Sequence, residues 1–471
     1  MARQIVVLQR QVALRDPQDC TDQADDLALL EALFDPLVRR RRDGSYAPAL
    51  AESWRLGDDA RAWTFQLKPG LKFHDGSPLD AEAVAYSIRR MQRPDVGATL
   101  GAPAVWGQYL SGASIVVEDR ATVSVTTEAP TADLLDILSS GYVLPPALAD
   151  ARGFRDAPIG SGAYRCITAG AGEIRMAANP DWHGGAVAHD EIVWRQEPDA
   201  DARAAAVARG DAHVATRLPH DAPGAQVYRD PVAIIFILNA ARGPFADARV
   251  RRAVNLAIDR RRVLARAVDG AAAPLHGFVG RGQWGADAAM EMPYDPAAAR
   301  RLLADAGYAD GVTLVVDRPE TLPDEAAALT AAVQAELADI GVGVEIRVHP
   351  DRTAYAEMVR AKDIGDMCLF DSSPMSAFRV ISAKLDGRRD GAWRQGFSNS
   401  RVETLLDRAR ATVDPAVRVE VYRECYRALQ ADPPWLFLYN RLRAVRFSSD
   451  VGDWRMRPDG VLDVAGLPPL V

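Results

Sequence analysis

The longest uninterrupted apolar run in the chain, Val232-Ala233-Ile234-Ile235-Phe236-Ile237-Leu238, is dominated by β-branched and aromatic residues. At about a third of the length of a membrane-crossing helix it cannot span a bilayer. It reads instead as a fully buried strand, which needs cover on both faces. A sheet with helices on both sides supplies that cover, and the flanking sequence alternates between helix and strand patterns accordingly.

Residues 3–9 read as a strand and residues 22–34 as a helix, with Leu27, Leu30, Ala32, Leu33 and Phe34 crowding one side. Between residues 46 and 75 the alternating stretches Trp54–Leu56, Trp63–Leu67 and Leu71–Phe73, separated by Gly57-Asp58-Asp59 and Pro69-Gly70, predict a small antiparallel sheet. An amphipathic helix follows from Asp80 to Met91, with Asp80 as its N-cap and Glu82 in the first turn. Ala113–Glu118 and Ala121–Thr127 predict a hairpin, followed by a helix near 131–139. The glycine-punctuated Pro158–Tyr164 opens the next strand, and Val250–Asp269 contains an amphipathic helix. Helices at 295–306, 325–340 and near 352–361 alternate with strands at 312–316, 343–348 and 366–370, the pattern of a doubly wound lobe. Helices at 400–412 and 415–431 and a strand at Trp435–Tyr439 complete a mixed α/β chain.

A length of 471 residues corresponds to about three domains or lobes. Acidic residues outnumber basic ones, 64 to 56, and the net charge of −8 argues against nucleic acid as a partner. Lysine occurs only at Lys68, Lys72, Lys362 and Lys384, so arginine is the background cation; the run Arg39–Arg42 reads as a solvated strand end or turn. Cys20, Cys166, Cys368 and Cys425 are scattered without metal-ligand spacing and read as buried free thiols, although four thiols allow three pairings. No nucleophile elbow, zinc helix or phosphate-binding loop is present, so neither catalytic residues, nor a metal, nor a cofactor is expected. Gly280–Gly285 matches a dinucleotide-like string but lacks the strand and helix that would give it meaning, and His74-Asp75 reads as turn chemistry. The opening Met1–Leu8 goes straight into a strand-like stretch without a secretory h-region. It places the protein in the cytoplasm if the native chain starts at Met1, and outside the cytoplasm, periplasmic or lipid-anchored, if a leader has been removed.

Blocks along nearly the whole chain resemble the family 5 extracellular solute-binding proteins, the dipeptide-, oligopeptide- and nickel-binding receptors of ABC importers. They begin with Leu33–Val38 and Pro48–Trp54 and continue through Trp63–Gly76 with Asp80–Val84, the most specific block. Pro158–Tyr164, Asn179–Trp182, Phe236–Asn239, Val250–Asp259, Tyr294–Pro296 with Leu302–Tyr308, Gln334–Leu337, Ile340–Val342 and Asp432–Trp435 follow in order.

The resemblance implies a type II periplasmic-binding-protein fold with an extra inserted domain and a ligand cleft between hinged lobes. Lobe I takes residues 1–35, 155–234 and 441–471, the inserted small α/β domain 36–154, and lobe II 235–440. The hinge segments are Ala233–Asn239 and Tyr439–Arg441. Cys20 and Cys166 then fall in lobe I and Cys368 and Cys425 in lobe II, so any bridges are expected within a lobe. The expected function is capture of a small organic solute, peptide-like, opine-like or otherwise carboxylated, by a monomer that closes its lobes and delivers the solute to an ABC permease. A cytoplasmic protein of the same fold reused as an enzyme or carrier is the alternative; a metal-chelate receptor is disfavoured because no histidine lies in Asp366–Phe378.

In peptide-binding members an acidic residue after the strand corresponding to Asp366–Phe370 holds the peptide ammonium group. Here the segment reads Phe370-Asp371-Ser372-Ser373-Pro374, which places Asp371 either as a shifted anchor or as a helix cap. The other expected ligand contacts are Arg10 and Gln11 beyond the first strand, Trp106 and Tyr109, Tyr142, and Trp393, Arg394 and Phe397. Trp106 and Trp393 read equally as core, and Arg394 reads more readily as surface than as a carboxylate clamp.

Overall fold

The computed structural model describes residues 3–19, 23–41, 43–97, 105–147, 154, 158–268, 270–321, 323–372, 376–389, 391–452 and 454–471. The chain divides into two compact units. One gathers the bulk of the sequence before Arg229 together with Arg443–Val471; the other is Arg229–Leu442. Two long strands, Gln226–Leu238 and Trp435–Phe447, carry the chain from one unit to the other.

In the first unit the strand Gln4–Gln9 pairs in parallel with Glu191–Gln196 and with Val214–Leu218. Antiparallel strands Glu173–Ala178 and Tyr164–Gly170 extend that sheet. Helix Ala200–Arg209 covers one face and packs Val207 with Val6, Leu8 and Val193. Asp199 caps this helix by accepting from the Ala202 N–H, and Gly210 ends it at φ 80°, a conformation glycine adopts without steric cost.

The same unit holds a four-stranded antiparallel sheet in the order Ala51–Leu56, Ala62–Leu67, Thr122–Thr126, Ser114–Asp119. The expected small sheet and hairpin are thus one structure. Leu71–Phe73 does not join it; only a single bridge links Lys72 to Pro78. The Asp75 carboxylate accepts from the Ser77 N–H and hydroxyl, and Phe73 N donates to Ser77 O, so a tight turn consumes the groups a strand would use. Helix Ala81–Met91 lies next, with the Asp80 side chain accepting from Glu82 N and Ala83 N.

The His74 ring explains the glycine-punctuated stretch. Its Nδ1 accepts from Gly160 N at 3.2 Å and its Nε2 lies 3.1 Å from Gly162 O. A Cβ on Gly160 would sit 1.9 Å from Leu33 O and one on Gly162 2.5 Å from Ala32 O, so only glycine lets these backbones meet.

The run of Arg39 and Arg40 corrects one expectation. Neither is a solvated strand end: on the short strand Val38–Arg40, Arg39 donates to the Asp35 carboxylate at 2.6 Å and Arg40 pairs with Asp136 at 2.7 Å. Both acids are buried, which draws the two cations inward. Arg42 lies outside the described residues.

In the second unit, parallel strands Val312–Pro319 and Val342–His349 are joined through helix Ala326–Ala338, and helix Arg352–Arg360 leads to Met367–Ser372. Met367–Ser372 pairs in parallel with Val312–Pro319 and antiparallel to Ala233–Leu238. The apolar run that opened the sequence therefore sits inside this sheet, with Phe236 and Leu238 packed against Leu314, Val316, Leu369 and Leu436. The region 250–269 is two helices, Ala248–Ala257 and Arg260–Ala267, rather than one. Asp259 has extended backbone and caps the second helix by accepting from Arg262 N, which breaks the run.

Among the described residues no helix is long and apolar enough to cross a membrane. Cys166, Cys368 and Cys425 are free thiols, and Cys20 lies outside the described residues.

Candidate functional site

The residues expected to touch ligand fall into two environments, one in each unit. In the first unit Arg10 and Gln11 are exposed immediately beyond the strand Gln4–Gln9. Trp106 is buried, its indole N–H donates to Gln18 O at 2.6 Å, and a Cβ on Gly97 would strike its ring. Tyr142 is also buried, 6.2 Å from the Phe34 ring, with Gln18 donating to its carbonyl oxygen. Burial and the nearby Glu31 carboxylate push its phenol well above the ordinary tyrosine range. Trp106 and Tyr142 thus pack inside their unit, and Tyr109 is half-buried on the short turn Gly107–Leu110. The hydrogen bond from Trp106 and the ring packing of Tyr142 give both a structural task.

In the second unit the predicted residues do come together, at the carboxyl end of Met367–Ser372. The Phe370 and Trp393 rings meet edge to face at 6.0 Å. The Trp393 indole N–H donates to the main-chain oxygen of Asp371 at 2.6 Å. Ser372 is buried and its hydroxyl accepts from the Lys384 ammonium at 3.1 Å. Asp371 is half-buried, and its carboxylate has no hydrogen-bond or ion-pair partner among the described residues. It does not cap the helix that follows: Ser376 does, accepting from Arg379 N. Ser373 lies outside the described residues.

Arg394 and Phe397 make contacts of their own. The Arg394 carbonyl accepts from Lys362 Nζ at 3.0 Å, and Phe397 is buried beneath the Arg251 guanidinium, 5.5 Å from its ring. Arg251 in turn pairs with Asp432.

Two residues at the strand end were not singled out from the sequence. Lys384 sits in a π-helical segment, Ile381–Leu385, with its ammonium 4.0 Å from the Trp393 ring centroid. Arg352, first residue of helix Arg352–Arg360, lays its guanidinium 5.0 Å from the Phe370 centroid and 5.6 Å from that of Tyr355. The rarity of lysine in this chain is a signal that could have found Lys384; no comparable signal marks Arg352 among the many arginines.

An aromatic wall with a few oriented polar groups at the carboxyl end of strands in a doubly wound unit is the geometry of a small-molecule binding site. Among the described residues no group of three His, Cys, Asp or Glu is placed to hold a metal ion. A binding protein of two α/β units is the class this defines. Residues 45–376 match the family model described as bacterial extracellular solute-binding proteins, family 5. The chain belongs to this family, the substrate-binding proteins of ABC transporters, which bind their ligands without transforming them.

The chain is 27% identical to the glutathione-binding protein GsiB of Salmonella typhimurium over 474 aligned positions, covering 94% of this chain and 90% of that one. Among solved structures it is similar to HbpA2 from Haemophilus parasuis, with a TM-score of 0.85, 18% identity and coverage of 99% and 100% of the two chains. It is also similar to the binding protein AgaA in complex with agropinic acid from A. tumefaciens R10, with a TM-score of 0.77, 24% identity and coverage of 98% and 96%. The fold is therefore shared across the full length.

Proposed function

We propose that the protein captures a small organic solute, peptide-like or carboxylated, outside the cytoplasm and presents it to the membrane permease of an ABC importer. The observation that carries this reading is the uncommitted, half-buried carboxylate of Asp371 beside the Phe370–Trp393 aromatic pair. A carboxylate left without a partner at such a place is an anchor for a ligand ammonium group, because pairing there is charge-assisted and partly shielded from water. The relatives support the solute class: one is a glutathione-binding protein and another was solved with agropinic acid.

In this reading the residues around Asp371 hold the solute in the second unit, and Arg10 and Gln11 are the candidates in the first. The expected hinge segments, Ala233–Asn239 and Tyr439–Arg441, lie a few residues from the chain passages between the two units at Tyr228–Arg229 and Leu442–Arg443. The inserted domain is residues 36–154.

Thermal-shift screening against glutathione, agropinic acid, dipeptides and oligopeptides tests the proposal, since a ligand bound only by the folded state raises the midpoint by mass action. A concentration-dependent rise with one class is the expected result. Failure of every member of the panel to raise the midpoint would reject it.

A further inference from the structure

Other arginines drawn out of water in this protein meet acids or carbonyl oxygens: Arg39 pairs with Asp35, Arg441 with Glu325 and Arg457 with Glu31, while Arg260 donates to the Leu275 and Phe437 oxygens and Arg203 to the Glu197 and Pro198 oxygens. Arg352 does not. Among the described residues its guanidinium makes no hydrogen bond or ion pair, and its Nη1 is buried without an acceptor. The faces of Phe370 and Tyr355 attract the cation, but a ring face does not satisfy the N–H donors in the guanidinium plane. A half-buried cation with an unanswered donor is costly in a finished fold. Its donors fit an acceptor that arrives with a ligand.

The surroundings specify that acceptor. Phe370 and Ser372 are two residues apart on one strand and so share a face of the sheet. Arg352 lies against Phe370; Lys384 lies against Trp393 and donates to Ser372; Phe370 and Trp393 touch each other. Two cations therefore flank one aromatic wall, while Asp371, one residue along, faces the opposite side. A planar carboxylate matches the guanidinium fork with two parallel N–H···O bonds, and the wall accepts the carbon skeleton attached to it.

We infer that this strand end reads a carboxylate of the solute through the Arg352 guanidinium, with Lys384 adding to the positive field and Phe370 and Trp393 packing the skeleton. The inference rests on the reading of the Met367–Ser372 strand end as the second lobe's share of the ligand site. It narrows the ligand class to acids.

The test does not require the natural ligand. In protein labelled with 15N-arginine, the Arg352 Nε–H resonance is assigned by its loss in Arg352→Lys, and sodium acetate is titrated against sodium chloride at matched ionic strength. A saturable shift of that resonance with acetate and not with chloride is expected; equal responses, or no response, would overturn the inference. Calorimetry of wild type and Arg352→Gln with glutathione and agropinic acid forms the second arm. An acid that binds should lose at least about tenfold in affinity in Arg352→Gln, the worth of one charge-assisted contact. A solute that binds both proteins equally would leave the importer reading standing and overturn the carboxylate site. An intact acetate response in a protein that binds no solute of the panel would uphold the carboxylate site and count against the importer reading.

Discussion

The indole N–H of Trp393 donates to the main-chain oxygen of Asp371 at 2.6 Å, fixing the strand end while leaving the Asp371 carboxylate uncommitted. The bond joins residues 22 positions apart and holds the Trp393 ring against Phe370, so the aromatic wall and the acid are positioned by one contact. The consequence is a division of labour: the backbone of Asp371 serves the fold, and its side chain is available to a ligand.

Replacement of that side chain separates the two. Asp371→Asn keeps the Trp393 bond and removes only the charge, so the unfolding free energy should change by no more than about 0.5 kcal/mol. Affinity for an amine-bearing solute should fall more than about tenfold, the worth of a charge-assisted hydrogen bond. Calorimetry and urea denaturation on the same preparations read both; unchanged affinity would remove Asp371 from the site.

Asp35 is the opposite case, a carboxylate committed entirely to structure. It is buried, accepts from Arg39 at 2.6 Å, from the Trp182 indole at 3.2 Å and from the Ser161 hydroxyl at 3.3 Å, and lies 3.1 Å from His183 Nε2. Burial pushes its carboxyl up, but His183 and Arg39 outweigh that and hold it below the ordinary value of 3.8. A carboxyl depressed in the fold stabilises above its unfolded value and loses that contribution as pH falls through the folded one. Asp35→Ala should therefore cost about 3–5 kcal/mol at neutral pH, and the difference from wild type should narrow in strong acid. A variant with an unaltered denaturation midpoint would show that the network contributes nothing net.

His276 should govern a higher pH window. Burial, reinforced by the Arg260 guanidinium, lowers its imidazole from 6.5 to about 4, and its Nδ1 accepts from Met292 N at 3.1 Å, which requires that nitrogen unprotonated. The neutral form is the folded form, so its stabilisation is full above 6.5 and is lost as pH falls through about 4. Denaturation midpoints measured across that window should decline in wild type and decline less in His276→Gln. Identical slopes would take His276 out of the acid response.

The two thiols of the second unit should be chemically silent. Cys368 and Cys425 are buried, and burial raises both, Cys425 to about 12, so the reactive thiolate is scarce at neutral pH. Iodoacetamide followed by peptide mass mapping should label either residue only after unfolding. Rapid labelling of the native protein would contradict the packing around them.

Local signals carried much of the architecture. The Asp80 cap and the alternation of Ala62–Leu67 are written within a turn or two of chain, where spacing and hydrogen-bonding chemistry act directly. The same locality explains the misses. Leu71–Phe73 has the composition of a strand, but the Asp75–Ser77 turn beside it claimed its hydrogen bonds, and the helical pattern at 250–269 hid a cap at Asp259. The arginine run at Arg39 and Arg40 reads as solvated until two buried acids, one nearly a hundred residues away, draw it inward.

By itself the sequence determined the mixed α/β class, many of its helices and strands, the buried strand at its centre and the family, because each depends on local period or on blocks of residues kept in order. Only the tertiary structure decided which side chains share a site. Trp106 and Trp393 are alike as letters, yet one spends its indole N–H on Gln18 inside its unit and the other holds the backbone of Asp371. Arg352 and Lys384 lie 32 positions apart and reach one aromatic wall only because Met367–Ser372 folds between the segments that carry them. The physical reason is that charge pairing and ring contact are set by distance in space, and a strand with its crossover brings together residues whose spacing along the chain has no period to reveal them.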